Sequence, residues 1–219
     1  MRIGTWNLDG RHSQAHIDFV AAHDCGVLLL TEVSERLQLD GYKMTSSRDA
    51  QPMTADKRWA AIAARGELTE LDAPHPASVA AIVDGTTFVP SILPWRGSGG
   101  SFPWEGADHA QQMKAALTHV HRWTADRGPR VPLVWGGDWN QSLAGREQEG
   151  SRAGREALIQ ALGELQLAAA TAALAHHLSS PLTTDHIAVR VGVQRAGRVV
   201  AVSSNGQRLS DHDLYVVDV

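Results

Sequence analysis

The sequence predicts a single layered α/β domain that spans residues 1–219. Candidate strands and amphipathic helices are interspersed along the chain, which is typical of layered α/β folds. One strand candidate, Val27 to Leu30, is apolar throughout, as expected for an interior strand covered by helices. With 43% apolar and 20% charged residues, a chain of 219 residues can bury a sizeable core. No repeat, low-complexity tract or proline-rich linker divides it.

The first half of the chain alternates strand and helix signals. Arg2 to Leu8 reads as a short strand, and Val27 to Leu30 as the second. Between them a helix is predicted behind Ser13 as N-cap, with an apolar face made of Ile17, Val20 and Ala21. Residues 42–72 have a weak pattern with one strand signal, at Trp59 to Ala63.

The second half begins with a predicted hairpin, in which strands Val79 to Val83 and Thr87 to Leu93 flank the turn Asp84-Gly85. The segment Arg96 to Gly106 is rich in Gly and Ser, which favours a surface loop. Two amphipathic helices are predicted, one bearing Met113, Ala116, Leu117, Val120 and Trp123 and ended by Gly128-Pro129, the other bearing Leu158, Ala161, Leu162 and Leu165. The remaining predicted strands are Val131 to Trp135, His186 to Val193, Arg198 to Val202 (with Ala196-Gly197 as a turn between them), and Leu214 to Val219.

Charge and cysteine content exclude several classes of protein. The net charge of -4 provides no global basic field, which argues weakly against tight binding along a duplex. Cys25 is the only cysteine, so the chain has neither an internal disulfide nor a thiolate zinc site. No signal peptide and no 18-residue apolar span are found, and a cytoplasmic protein that does not enter a membrane is the expectation. Nothing in the sequence indicates an obligate protein partner.

Five short polar motifs close or flank the predicted strands. Carboxylates and amides at strand ends are costly to bury without partners, so their repetition predicts an assembled site. The motifs supply hard oxygen ligands, which suit Mg2+ or Mn2+ acting on phosphate esters. They are Thr5-Trp6-Asn7, Thr31-Glu32, Gly136-Gly137-Asp138-Trp139-Asn140, Thr184-Asp185-His186 and Ser210-Asp211-His212-Asp213.

Each motif also has a structural alternative. Asp138 and Asn140 would face the same side of an extended segment, but an Asx turn accounts for the pair equally well. Asn7 alone is more often a turn residue than a ligand, and Glu32 could be a residue at the start of a helix. An Asp that accepts from a His ring N–H resembles a hydrolytic dyad, whereas local hydrogen bonds in a loop are the alternative for Asp185 and Asp211.

Taken together and in this order, the five motifs resemble those of the endonuclease/exonuclease/phosphatase family, the Mg2+-dependent phosphoesterases with the DNase I-like fold. The resemblance extends from Ile3 to Val217. It implies a four-layer sandwich of two mixed β-sheets flanked by helices. It also implies hydrolysis of phosphodiester bonds in DNA or RNA, by endonuclease or exonuclease action, with Mg2+ or alternatively Mn2+ as cofactor.

The resemblance assigns roles to residues of this chain. It implies a metal site at Glu32 and Asp211 with Asn7 nearby, and a catalytic group of Asp138, Asn140, Asp185 and His212. Asp138 and Asn140 would hold the attacking water and the phosphate, and Asp185 would orient His212 against the phosphate. Which group acts as the base is left open between Asp138 and His212.

One expected member of the site is missing. The family places a His or a Tyr at the end of a strand between the second and third motifs, and that position here falls on Ile92 or Leu93. Neither side chain donates a proton or a hydrogen bond. The leaving group therefore needs another donor. Arg96 and His109 are candidates because they are near in sequence.

Three alternatives to a nuclease follow from the residues. The substrate could be a small phosphorylated molecule, or the fold could be a non-catalytic module that binds phosphate or nucleic acid. A zinc hydrolase is disfavoured, because His119 and His121 face different directions on a helix and His176-His177 has no third ligand at a recognisable spacing. Trp95 could stack on a base, although aromatic residues in such loops are more often packed on the core.

Overall fold

Two β-sheets of six strands each pack face to face, and helices cover their outer surfaces. The computed structural model describes residues 1–47, 53–100, 102–128, 131–147, 149–178, 181–190 and 192–219. The elements in chain order are β1 Arg2–Asn7, α1 Gln14–His23, β2 Val27–Ser34, β3 Lys43–Ser46, β4 Lys57–Ala64, β5 Leu68–Leu71, β6 Ala80–Val83, β7 Thr86–Pro90, α2 His109–Arg127, β8 Leu133–Asp138, α3 Arg152–Glu164, β9 Ala168–Ala169, β10 Asp185–Val189, β11 Arg195–Val199 and β12 Leu214–Asp218.

Both sheets are mixed. The first sheet has the strand order β11-β12-β1-β2-β4-β3 and the second has β5-β6-β7-β8-β10-β9. β1 pairs in parallel with β2 and β7 in parallel with β8, while the other strand pairs are antiparallel. The arrangement confirms the predicted four-layer sandwich of two mixed sheets flanked by helices.

Three apolar cores separate the layers. Between the two sheets, residues such as Leu29 and Ile62 of the first sheet pack with Phe88 and Ile187 of the second. On the outside of the first sheet, α1 packs against a core that contains Trp6. On the outside of the second sheet, α2 and α3 cover a larger core. The run Val27 to Leu30 is buried on both faces, as its composition predicts.

The alternation of side chains along β1 directs the first motif towards the second sheet. Ile3 belongs to the core between the sheets, and Asn7, four residues later on the same strand, points in the same direction. Trp6 points the opposite way and packs beside α1. The strand thus buries an indole on one face and presents an amide on the other.

Four predictions about local structure need correction or restriction. Ala21 was predicted on the buried face of the first helix but is exposed, because that face is built from His16, Phe19 and Val20. Ala196-Gly197 is not a turn: it lies inside β11, where it pairs with β12. The predicted helix stop at Pro129, and residue 191 within the strand predicted to end at Val193, lie outside the described residues.

No helix in the described part of the chain has the length and apolarity to cross a bilayer.

Candidate active site

Two buried aspartates face each other at one end of the second sheet. Asp138 is the last residue of β8 and Asp185 the first of β10, and the antiparallel register pairs them directly. Asp138 is 3% exposed and Asp185 is fully buried. Two buried carboxylates at adjacent positions repel each other and need compensating donors.

Asn7 of the first sheet supplies the first of these donors. Its Nδ2 donates to Asp138 Oδ2 at 3.0 Å and to Glu32 Oε1 at 3.1 Å, so one amide joins a carboxylate from each sheet. Its Oδ1 accepts from the backbone N–H of Asp9 at 2.9 Å. That bond fixes the orientation of the amide, with the nitrogen towards the carboxylates.

Glu32 is held in a left-handed backbone conformation, with φ of 49°. This conformation is rare for a residue with a Cβ, and in strands it interrupts the ladder: Thr31 and Val33 pair with β4, while Glu32 does not. Strained residues of this kind cluster at functional sites. Glu32 is therefore not a residue at the start of a helix but a distortion within β2, and it lines the cleft described below.

The closing motif brings an imidazole to the two aspartates. His212 Nδ1 lies 2.7 Å from Asp185 Oδ2, and His212 Nε2 lies 3.9 Å from Asp138 Oδ2. The Ser210 hydroxyl donates to the backbone carbonyl of Asn7 at 2.6 Å and accepts from the His212 N–H at 3.1 Å. Hydrogen bonds thus connect Glu32 through Asn7 to Asp138. The hydrogen-bonded pair of His212 and Asp185 lies on the other side of Asp138.

The burial and charges of these groups shift their pKa values. Burial opposes the charged imidazole, but Asp185 and Asp138 outweigh it and raise the pKa of His212 well above its usual value. Burial raises the pKa of Asp138 to about 6, although His212 works in the opposite direction. Burial also raises the pKa of Glu32. A cationic imidazole and neighbouring carboxyls with raised pKa values are typical of catalytic sites.

Asn140 positions the Asp138 side chain through the backbone. Its φ is 50°, and its N–H donates to Asp138 Oδ1 at 3.0 Å, which is the Asx turn that the sequence left as an alternative. Its side-chain Nδ2 donates to the backbone carbonyl of Leu93 at 2.9 Å. Because of the left-handed turn, Asp138 and Asn140 do not lie on one extended segment.

A cleft of about 430 Å³ opens above this group. Its polar lining includes Glu32, Asp138, Asn140, Asp211 and His212, and its walls include Trp95, Ile92, His176, His177 and Leu182. Ile92 thus lies at the cleft, whereas Leu93 is part of the core under α2 and α3. The cleft is large enough for a small ligand or a single nucleotide.

The described residues offer two places for a metal ion. Asp138, Asp185 and His212 each have a ligand atom, and these atoms all lie within 4.8 Å of one another. The hydrogen bond between Asp185 and His212 already occupies part of this group. Glu32 and Asp211 line the same cleft, and Asp211 Oδ1 lies 3.3 Å from Ser210 Oγ, whose hydrogen is directed to the nearer Asn7 carbonyl. Hard oxygen ligands on an open cleft fit Mg2+ or Mn2+.

Of the three residues predicted to contact substrate, only Trp95 lines the cleft. Arg96 donates from Nε and Nη2 to the backbone carbonyl of Gly150, which directs its guanidinium away. His109 is buried, and its two ring nitrogens bond Ser151 Oγ and the Pro94 carbonyl. Neither residue therefore lies where closeness in sequence predicted it. Arg96 contacts the loop before α3, and His109 contacts Ser151, the N-cap of α3.

The structure adds two features to the site that the sequence does not place there. Lys57 Nζ lies 3.4 Å from Glu32 Oε2 and 3.5 Å from Asp9 Oδ1, because β4 pairs with β2. His176 and His177 line the cleft with ring centroids 5.9 Å and 6.4 Å from that of His212. The fold thus brings a third histidine to the pair, although the three do not form a metal-binding group among the described residues. Only the pairing of distant segments reveals these contacts.

Solved structures share this fold, while sequence comparison finds nothing. No family model matches the chain, and the search of curated proteins gave no match. An AP endonuclease from Archaeoglobus fulgidus superposes with a TM-score of 0.74 at 14% identity, over 99% of this chain and 98% of that one. The 3' phosphatase NExo from Neisseria, bound to a product DNA hairpin, gives 0.72 at 17% identity, over 100% and 98%. The endonuclease domain of the telomere-specific retrotransposon TRAS1 gives 0.67 at 17% identity, over 99% and 96%. The predicted resemblance is therefore confirmed at the level of the fold, which is DNase I-like.

Proposed function

We propose that this protein is a divalent-metal-dependent phosphoesterase that hydrolyses phosphodiester bonds in nucleic acid, as an endonuclease or an exonuclease. The observation that carries the proposal is the convergence of two hydrogen-bonded sets at an open cleft: Asn7 with Glu32 and Asp138, and His212 with Asp185, which approach to 3.9 Å between His212 Nε2 and Asp138 Oδ2. The solved structures with the same fold are nucleases and phosphatases, which supports this class of reaction.

In this proposal Glu32 and Asp211 hold the metal, with Asn7 beside them. When bound, Mg2+ neutralises charge on a phosphate oxygen and on the leaving oxygen. The Asn7 amide bridges Glu32 and Asp138, since its Nδ2 donates to one oxygen of each and offsets part of their mutual repulsion. Lys57 balances part of the charge of Glu32.

Asp138 acts as the base that accepts a proton from the attacking water. Burial raises the pKa of this carboxyl to about 6, which is closer to neutrality than that of an ordinary aspartate and suits a base. The Asn140 N–H holds Oδ1 at 3.0 Å, and Oδ2 points towards Asn7 and His212. One carboxylate oxygen is thus fixed while the other faces the polar side chains of the site.

His212 stabilises negative charge on the phosphoryl oxygens. Asp185 holds Nδ1 at 2.7 Å, which leaves the other ring nitrogen, Nε2, on the side of Asp138 and the cleft. Against the opposing effect of burial, Asp185 and Asp138 raise the pKa of His212 well above its usual value, which favours the cationic ring. A positioned cation in a site with little water is the largest single contribution in many enzymes of this kind.

A small phosphorylated molecule is the second candidate substrate. Leu178, Pro181 and Leu182 give one side of the cleft an apolar surface, and no described residue that lines it is a lysine or an arginine. A small phosphoester with an apolar group would suit such a cleft better than a duplex, whose phosphates require several cations.

The test is an activity screen with Mg2+, with Mn2+ and with a chelator. Single-stranded DNA, duplex DNA with an abasic site, RNA and phosphomonoesters are compared at equal phosphate concentration. We expect cleavage of at least one nucleic acid that requires the metal and falls by at least about 100-fold in Asp138→Ala, the lower range for loss of a catalytic base. Asp40→Ala, which removes an exposed carboxylate, should leave activity unchanged. A protein inert on every substrate with both metals would contradict the proposal.

A further inference from the structure

One wall of the cleft is a short hairpin, residues 175–178 and 181–182, which we call the cleft hairpin. Ala175 forms an isolated bridge with Leu182, and the His176 N–H donates to the Pro181 carbonyl at 3.1 Å. Two side chains from the first sheet fix its backbone: Tyr215 Oη donates to the Ala175 carbonyl at 3.1 Å and Arg198 Nη1 to the His176 carbonyl at 2.8 Å. His176 is therefore positioned by the same sheet that supplies His212.

A backbone hydrogen bond selects the tautomer of His176. The Leu178 N–H donates to His176 Nδ1 at 3.2 Å, so Nδ1 is an acceptor and the neutral ring carries its proton on Nε2. Burial, together with His177 and His212, lowers the pKa of His176 to about 4. The ring is therefore neutral at pH 7 and has one N–H to donate.

That N–H is free. Among the described residues Nε2 of His176 makes no hydrogen bond, and the ring lies at the cleft beside His177, at 4.1 Å between centroids, and edge-on to His212, at 5.9 Å. Ile92, one of the two positions at which the family resemblance implies a His or a Tyr, lines the same cleft. The site thus lacks one donor and has another that no described residue uses.

We propose that His176 is a substrate-contacting residue whose Nε2–H donates a hydrogen bond to an oxygen of the scissile phosphoester, the contact that Ile92 cannot make. The inference rests on the proposed function. A neutral imidazole that polarises a substrate oxygen without transferring its proton is an established catalytic device. The competing explanation is that His176 serves only to accept the Leu178 N–H and shape the hairpin.

Two substitutions separate these explanations, because each places an amide group near the position of one ring nitrogen and leaves the other position without a polar atom. In His176→Asn the amide oxygen takes the place of Nδ1 and can accept from Leu178, but the donor to the substrate is lost. In His176→Gln the longer amide carries an N–H close to the position of Nε2. We expect kcat to fall about 100-fold in His176→Asn, as for the loss of one preorganised donor, and less than about tenfold in His176→Gln. Thermal unfolding of both variants reports whether the hairpin and the fold are intact.

The reverse order, with His176→Asn active and His176→Gln impaired, would overturn the inference in favour of the hairpin role. So would two variants as active as the wild type. Wild-type activity in the same assay distinguishes failure of the inference from failure of the proposed function. An active wild type with an unaffected His176→Asn refutes only the inference. A wild type inert on all substrates refutes the proposed function, and the inference falls with it.

The tautomer can be measured without any activity. In ¹⁵N-labelled protein at pH 7, the His176 ring should give the nitrogen shifts of the neutral Nε2–H form, and inorganic phosphate with Mg2+ should move its Nε2–H signal. A ring that is cationic at pH 7 or protonated on Nδ1, or a signal indifferent to saturating phosphate, would contradict the inference.

Discussion

At the scale of single residues, Asp213 shows how the closing motif is stabilised. Its carboxylate has no exposed surface, and it accepts from Arg198 Nε at 2.5 Å, Arg208 Nη1 at 2.6 Å and the Ala201 N–H at 3.0 Å. This group also reaches the cleft hairpin, because Arg198 donates to the His176 carbonyl. Asp213 is thus a structural carboxylate within a motif whose other members face the cleft.

Asp213→Asn should lower the free energy of unfolding at neutral pH by about 3 kcal/mol. This is near the lower end of the range for removing one partner of a buried ion pair, because both arginines are partly exposed. Burial alone would raise the pKa of Asp213, but the Ala201 N–H and the two arginines lower it below the unfolded value. A depressed folded pKa contributes stability above the unfolded pKa, near 3.9, that is lost as the pH falls through the folded value. The loss caused by the substitution should therefore be largest at pH 7 and shrink towards pH 3.

Urea denaturation of the wild type and Asp213→Asn at both pH values measures this difference, with exposed Asp40→Asn as the control. A difference in the free energy of unfolding that is the same at pH 7 and pH 3 would show that the carboxylate charge is not the cause.

At the scale of elements, β8 carries Asp138 to the site through two glycines that its neighbours require. Gly137 has a φ of 114°, and a Cβ there would lie 2.3 Å from the backbone oxygen of Ser91. A Cβ on Gly136 would lie 2.5 Å from the His186 carbonyl oxygen. The strand therefore approaches its neighbouring segments more closely than any side chain would allow, which sets the position of Asp138.

Gly137→Ala should destabilise the protein by about 4 kcal/mol, the sum of an unfavourable φ and a backbone clash. Gly163→Ala is the matched control, since Gly163 lies in α3 with open space around its Cα. The control should be stabilised by about 0.5 kcal/mol through helix propensity. Chemical denaturation of the two variants measures both effects, and equal stabilities would refute the close approach at Gly137.

The sequence predicts most elements because their signals are local. The run Val27 to Leu30, the hairpin around Asp84-Gly85 and the apolar face of α2 are confirmed by β2, by β6 and β7, and by the core under that helix. Lys57, His176 and the failure of His109 to reach the cleft could not be predicted, since each depends on how distant segments pair. The left-handed conformation of Glu32 could not be predicted either, because its φ is set by the ladder between β2 and β4 and by the site beside it.

At the scale of the whole molecule, charge limits how the protein can meet nucleic acid. The net charge is -4, and arginines near the cleft are bound to the chain itself: Arg96 to the Gly150 carbonyl and Arg155 to the Ser142 carbonyl. These two guanidiniums are therefore not free to replace counterions on a duplex bound at the cleft.

Binding to a long duplex in the presence of a chelator should therefore be weak and only slightly sensitive to salt. The slope of log K against log salt should be shallower than about -3, which corresponds to roughly three phosphate contacts. Fluorescence anisotropy over a range of NaCl concentrations measures the slope. A slope steeper than about -5 would reveal a basic surface and favour a protein that tracks along duplex DNA.

The hydrogen bond from Asn7 to Asp138 crosses from the first sheet to the second, and the one from His212 to Asp185 joins the loop that enters β12 to the second sheet. Each sheet by itself thus holds an incomplete set of reacting groups, and the set exists only after the apolar faces of the two sheets have met. If the proposed function holds, activity therefore requires the two sheets to be docked, and an intermediate with both sheets formed but undocked would be inert. By mass action, any ligand that engages residues of both sheets holds the two halves together and raises the resistance of the whole sandwich to unfolding.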